Sequence, residues 1–267
     1  MPPYSLKLMN NMINKKEIKY LASLKNKKFR FLNNEFVIEG EKLILEALKH
    51  KQNIKKIIYS AKGENFDAIR IQSKEYNIEL ALCTNRDSEK ISDTKNSQQI
   101  FALLACKPLT KINQEHNNIT GPVVIIDGIS DPGNMGTILR TCSWFGIYNI
   151  MISSDSVEFY NPKTVRSSMG AHFHIKNIYR DSIGHIIEYL ESKKYVLLAA
   201  DIRGKNIKEY KTKNNSWALI LGNEARGLSN ISKEKSQLIH IRGEETMESL
   251  NVAEAASIIM HSLYQKI

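Results

Sequence analysis

Along this chain the apolar residues switch repeatedly between a period of two and a period near 3.6, the pattern of strands alternating with helices. In the N-terminal part, Asn14–Arg30 carries a helical pattern dense in lysine. Glu35–Ile38 reads as a strand, and Glu41–His50 as a helix with Leu43, Ile44, Ala47 and Leu48 on one face. Ile54–Tyr59, Ile78–Leu82 and Gln99–Cys106 read as further strands, with a helix at Phe66–Tyr76 between the first two. That order predicts a small α/β/α sandwich over residues 1–106. Lys107–Gly121 has Pro108, Asn113, Asn117 and Asn118 but no apolar period, and reads as a linker spanning residues 107–121.

From Pro122 the pattern restarts over residues 122–267 in a stronger form. Val123–Ile126 is apolar throughout, as a parallel strand buried on both faces must be. Ile147–Ile152, Tyr195–Ala200, Trp217–Leu221 and Leu238–Ile241 read as strands, and residues 135–145, 183–193 and 252–266 as helices. The expected fold class is therefore α/β, with a doubly wound parallel sheet in the C-terminal part.

Composition narrows the function classes. A hydrophobic fraction of 42% is ordinary for a globular protein with a full core. The chain has no apolar run long enough for a membrane span, and its first residues lack a secretory pattern. Cys83, Cys106 and Cys142 are odd in number and far apart, which suits a reducing cytoplasm rather than disulfides. The net charge of +10 is uneven: residues 1–120 carry +8 and residues 121–267 carry +2. A polyanion would thus be held mainly by the N-terminal part, with Lys27, Lys28 and Arg30 of the basic helix as candidate RNA contacts.

Three segments carry the candidate chemistry. The first is Asp131-Pro132-Gly133-Asn134-Met135-Gly136, running on to Arg140. Pro132-Gly133 makes a turn, and Asn134 is the expected N-cap of a helix with Met135, Ile138, Leu139 and Cys142 on its apolar face. The second is Leu221-Gly222-Asn223-Glu224-Ala225-Arg226-Gly227. Here Gly222 would let the backbone approach a ligand, Glu224 offers a carboxylate and Gly227 permits a tight bend. The third is Glu248-Ser249-Leu250-Asn251-Val252, where Asn251 is an N-cap with Glu254 three residues on. Each follows an apolar strand-like run, and loops at the carboxyl ends of parallel strands are where an open α/β sheet binds nucleotide-like ligands. No Gly-x-Gly-x-x-Gly or Walker lysine is present, so NAD and ATP sites lack support. His172 and His174 alternate on an expected strand and read as surface histidines, so no metal is expected.

In spacing and order, these three segments resemble the motifs of the SpoU/TrmH family of RNA ribose 2′-O-methyltransferases, within the SPOUT superfamily. The resemblance extends to residues 18–106, including Phe36-Val37-Ile38-Glu39-Gly40, which is similar to the ribosomal-protein-like RNA-binding domain preceding many of these catalytic domains. It implies a trefoil-knotted catalytic domain that works as a homodimer, with S-adenosylmethionine as methyl donor and structured RNA, foremost 23S rRNA, as substrate. A tRNA substrate and a non-catalytic RNA-binding or ribosome-assembly role stay open as alternatives. By the same resemblance Arg140 is the catalytic arginine, with Asn134, Glu224, Ser249 and Asn251 on the substrate side. The donor is held at Leu221, Gly222, Asn223, Gly227, Ile241, Leu250, Asn251 and Ala253, largely by backbone. Arg166 and Ser168, in Arg166-Ser167-Ser168-Met169-Gly170-Ala171, resemble a segment lining the RNA side. Ile241-Arg242 departs from the family's usual Ile-Pro.

Overall fold

The computed structural model describes residues 12–61, 66–109, 111–112, 119–210, 216–244 and 248–264. They form two compact units. One holds the described residues up to Pro108 together with Phe159–Arg166, the other Leu109–Glu158 and the described residues from Ser167 onward.

In the first unit the elements are α1 (Lys15–Ser23), α2 (Lys27–Asn33), β1 (Glu35–Glu39), α3 (Glu41–Lys49), β2 (Ile54–Ser60), α4 (Asp67–Glu75), β3 (Glu79–Cys83), α5 (Asn85–Ile91) and β4 (Ile100–Ala105). The single basic helix expected over Asn14–Arg30 is in fact two. Asn14 caps α1 in a capping box with Glu17, the chain turns at Leu24, and Asn26 Oδ1 restarts the helix by accepting from Lys28 N at 2.9 Å. The strands form a mixed sheet in the order β1-β4-β2-β3, with β4 antiparallel to both of its neighbours. Ile58 and Phe101 point to one face and pack with Ile18, Leu21 and Ile91. Their neighbours Ile57 and Ala102, also fully buried, must face the other way. Helix α5 escaped the apolar pattern because only Ser88 and Ile91 of its seven residues are buried; Thr84 caps it.

The second unit is built on β5 (Val123–Asp127), β6 (Asn149–Ser153), β7 (Asn177–Asp181), β8 (Val196–Asn206), β9 (Trp217–Gly222) and β10 (Gln237–His240). Its helices are α6 (Pro132–Trp144), α8 (Ile183–Ser192), α9 (Asn230–Lys235) and α10 (Val252–Tyr264); α7 (Pro162–Ser167) lies at the boundary between the units. Every neighbouring pair of strands is parallel, in the order β10-β8-β9-β5-β6-β7. All carboxyl ends therefore share one edge. β5, β6 and β9 are buried residue by residue, which is why they read as unbroken apolar runs.

Some expectations shift. Ile112 and Ile119, placed in the linker, pack with Val123, Ile186 and Tyr195 in the core of the second unit, and Asn149 Nδ2 donates to Thr120 O and Pro122 O. The rest of the linker, Asn113–Asn118, and Thr110 lie outside the described residues. His172 sits in a 3-10 turn, Ala171–Phe173, and is buried, neither on a strand nor at the surface. Helix α10 buries Ala253, Ala256, Ile259, Met260 and Leu263, with Val252 and Ala255 at the edge of that stripe.

Candidate active site

The site begins where β5 ends. Gly128 adopts a φ of +76°, and its N–H meets both Ser153 Oγ and Ser156 Oγ at 2.9 Å, while its carbonyl accepts from Asn223 Nδ2 at 2.7 Å. A few residues further on, Asp131 caps α6. Its Oδ1 accepts from Asn134 N at 2.9 Å, and Pro132 opens the first turn without an orphaned N–H. Asn134 is thus not the N-cap expected from the sequence. The Asp-Pro pair three residues earlier is the true cap signal.

Displacing Asn134 into the first turn frees its amide. Asn134 Nδ2 donates to Glu224 Oε1 at 2.8 Å, and Asn134 Oδ1 accepts from Asn251 Nδ2 at 3.0 Å. Asn251 Oδ1 in turn accepts from Ala253 N at 2.8 Å, at the start of α10. A carboxylate can only accept and a helix N-terminus can only donate, so the two ends of this chain fix the orientation of both amides. One residue from each of the three sequence segments takes part. Ser130 also donates to Glu224 Oε2 from both N and Oγ, at 3.5 and 3.4 Å. Partial burial pushes the Glu224 carboxyl up. The bond from Asn134 and those from backbone N–H groups outweigh it and hold the carboxyl below its ordinary value.

The second segment closes on itself. Asn223 and Gly227 exchange both backbone bonds, and Asn223 Oδ1 accepts from Ala225 N and Arg226 N. With Nδ2 on Gly128, Asn223 is held firmly within its own loop. Gly227, with a φ of +69°, closes the bend, and its N–H and carbonyl both bond Asn223. Gly222 is also required by this chain's own packing. A Cβ there would lie 2.7 Å from Gly227 C and Leu228 N, so it makes room for this chain's own backbone. Leu221 is buried and presents only main chain. Asp127, which sequence reasoning missed, is buried and anchors the loop exit, accepting from Ser229 N at 2.9 Å and Ser232 Oγ at 2.8 Å.

Of the remaining candidates, Ile241 lies just past β10 and is half-buried, while Ser249 and Leu250 are exposed, Leu250 at 49%. Ala253 is buried, and its N–H is taken by Asn251 in the cap of α10. Arg140 is exposed on α6 and has no ion pair among the described residues. Six residues past Asn134, it stands about 9 Å further along the helix axis and about 120° round it. The structure does not bring it into the Asn251–Asn134–Glu224 chain.

The basic candidates divide. Lys27 and Lys28 are exposed. Arg30 is only 3% exposed, and its Nη1 donates to Leu24 O and Lys25 O at 2.7 and 2.6 Å. It braces the turn between α1 and α2 and does not face solvent, a correction to its expected place among the RNA contacts. Arg166 is half-exposed, 3.5 Å from Asp93 Oδ2. Ser168 is fully buried, which removes it as a surface contact; Met169, with a φ of +51°, is exposed beside it.

A model of the SpoU rRNA methylase family matches residues 121–261, and one of an MRM3-like substrate binding domain matches residues 15–102. The 23S rRNA (guanosine(2553)-2'-O)-methyltransferase RlmP of Bacillus subtilis is 32% identical over 92% of this chain and 95% of its own length. Among solved structures, the AdoMet-bound rRNA methyltransferase from Sinorhizobium meliloti superposes with a TM-score of 0.82 at 23% identity, over 96% of both chains. The SpoU methyltransferase AviRb from Streptomyces viridochromogenes, in complex with AdoMet, gives 0.84 at 21% identity, over 95% of this chain and 98% of its own.

Proposed function

The chain belongs to the SpoU rRNA methylase family, and from that premise we propose that it transfers a methyl group from S-adenosylmethionine to a ribose 2′-hydroxyl of 23S rRNA. The observation that carries this reading is the hydrogen-bonded chain Asn251–Asn134–Glu224. It joins three distant segments into one site at the carboxyl edge of a parallel sheet, where such sheets bind nucleotide-like ligands.

The donor's adenosine needs apolar contact and main-chain hydrogen bonds more than charged side chains. The carboxyl edge offers that combination: the end of β9 at Leu221-Gly222, the half-buried Ile241 after β10, and the exposed Leu250. These residues would hold it, and when bound it supplies an electrophilic methyl group. The rest is the work of this chain. The attacking hydroxyl must lie in line with the departing sulfur, and fixing that geometry removes much of the barrier. Asn134 and Asn251, held in one orientation between Glu224 and the start of α10, are rigid enough to do so. Ser249 lies beside them in sequence and faces solvent. The hydroxyl must also lose a proton. Arg140 is a poor base, since a guanidinium stays protonated throughout the physiological range. Its role is to grip a substrate phosphate and polarise the hydroxyl, with the proton leaving through that phosphate or water.

On this reading the first unit grips RNA, and the second carries the family's trefoil knot and pairs with a second copy. The pairing is supported by α6 and α10, which pack together yet leave Trp144 84% exposed with Ile258 and Tyr264 also at the surface. On this reading the protein works in the cytoplasm. Separately, among the described residues no helix is long and apolar enough to cross a membrane.

The test is transfer of labelled methyl from S-adenosylmethionine to a 23S rRNA transcript, with tRNA alongside, and mapping of 2′-O-methyl positions with and without the gene. One 23S rRNA ribose should gain the label. A chain that binds the donor but labels no RNA is a binding factor, and label confined to tRNA would overturn the substrate assignment.

A further inference from the structure

Helix α2 presents a surface that the proposed chemistry does not use. Phe31 is 80% exposed, and Phe29 and Leu32 beside it are also exposed. Phenylalanine bears no polar tip, so leaving a ring this far in water loses most of the benefit of burying it. The surroundings say what would cover it. Residues 23–34 contain Lys25, Lys27, Lys28 and Arg30 and no acidic residue. Lys27 and Lys28 lie four and three residues before Phe31, on the same helical face. Among the described residues, Lys25, Lys27 and Lys28 form no ion pair.

The helix is also held rigid. Asn26 caps its start, and Asn34, in the left-handed conformation, closes its end by donating to Arg30 O. Buried Arg30 ties it back to Leu24 and Lys25 through their carbonyls. An exposed aromatic ring on a fixed base, flanked by ammonium groups, combines the two parts of a single-strand site: a face for stacking and cations for the adjoining phosphates. A protein partner fits less well, since it would have to bring acidic groups against the lysines while filling an apolar patch on a single short helix.

We propose that Phe31 is a stacking platform for an unpaired base of the RNA substrate, with Lys27 and Lys28 on the flanking phosphates. This rests on the reading of the protein as an RNA methyltransferase and adds that its target presents an unpaired nucleotide besides the methylated one.

The test uses the full chain and a 23S rRNA transcript, with affinity measured across a salt series. Phe31→Ala should weaken binding roughly 5- to 100-fold, the range for losing one base–aromatic stack, and leave the salt slope unchanged. Phe31→Trp should restore binding, and its added indole fluorescence should be quenched by the stacked base. Phe31→Leu should fail like alanine, because an aliphatic side chain fills space but cannot stack. Melting curves and far-UV circular dichroism of the full chain should be the same for all three variants, which shows that each is folded. Wild-type affinity in Phe31→Ala would overturn the platform while leaving the methyltransferase reading intact. A leucine variant as good as wild type would replace stacking with plain apolar docking, also against the proposal. If the unaltered chain bound no transcript, both readings would fall together.

Discussion

The two units handle polar groups in opposite ways. In α2 of the first unit, Lys27 and Lys28 are exposed and form no ion pair among the described residues, beside a bare Phe31. In the second unit the central site amides are tied to one another: Asn223 bonds its own loop and Gly128, and Asn134 bridges Glu224 to Asn251. The charge follows the same line, +8 over residues 1–120 against +2 over residues 121–267. Gripping a polyanion needs many replaceable cations, each worth little alone. Positioning a hydroxyl for in-line attack needs few groups, each with one allowed orientation. Substitutions should therefore act steeply in the second unit and gradually in the first.

The steepest effect is expected at Arg140. Arg140→Ala should lower kcat by roughly 10²–10³, the range for removing one preorganised electrostatic donor. Donor affinity should stay within a few-fold, because Arg140 is exposed on α6 and stands apart from the Asn251–Asn134–Glu224 chain. Single-turnover kinetics and calorimetry check both halves, and normal turnover would remove Arg140 from the mechanism.

Gly222→Ala comes next. The added Cβ has only backbone within 3 Å, and neither Gly227 nor Leu228 can yield without opening the Asn223–Gly227 bridge. Overpacking of this kind costs about 1–3 kcal/mol. Donor affinity should fall about tenfold or more, and the melting temperature should drop with it. A variant of unchanged stability and affinity would show that the loop is not a rigid support for the donor.

Much of this was legible in the sequence because parallel strands buried on both faces must be apolar throughout. β5, β6 and β9 stood out for that reason, and the loops after β5 and β9 followed from them. Short or amphiphilic elements did not stand out: α5, α7 and α9 bury few side chains, and β7 carries Arg180 and Asp181 among its five residues. The three motif segments were visible, but not how their side chains connect. Asn134 looked like a cap, and only the geometry shows that Asp131 takes that role and releases Asn134 to bridge the other two segments. Arg30 misled for a physical reason. Basic side chains are almost always solvated, and one that turns inward onto two carbonyls leaves no trace in composition or period.

In the first unit the response should be graded. Replacing Lys27 and Lys28 together with glutamine should flatten the slope of log affinity against log salt by about 0.7–0.9 for each phosphate no longer neutralised. Binding at moderate salt should weaken only several-fold, and kcat at saturating RNA should hold. An unchanged slope would mean that these lysines are ordinary solvated side chains and that RNA is held elsewhere.

The smallest expected effect lies at Glu224 and tests whether the bonded chain matters to the fold itself. Its carboxyl is held below the ordinary value, so the folded protein binds fewer protons there than the unfolded chain. Stability from this group is then fully present above the unfolded carboxylate pKa, about 4.3, and is lost as pH falls through the lower folded value. Glu224 is exposed, so solvent screening keeps the contribution small. Glu224→Gln keeps an oxygen for Asn134 Nδ2 but cannot titrate. Between neutral pH and about pH 5 the melting temperatures of the two proteins should run parallel, and below that the unaltered protein should lose stability faster. If the variant tracked it through the whole acid range, the bonds from Asn134 and Ser130 would be too weak to hold the carboxylate. Of the chain, only the bond between Asn134 and Asn251 would then count, and it joins the first and third segments but not the second.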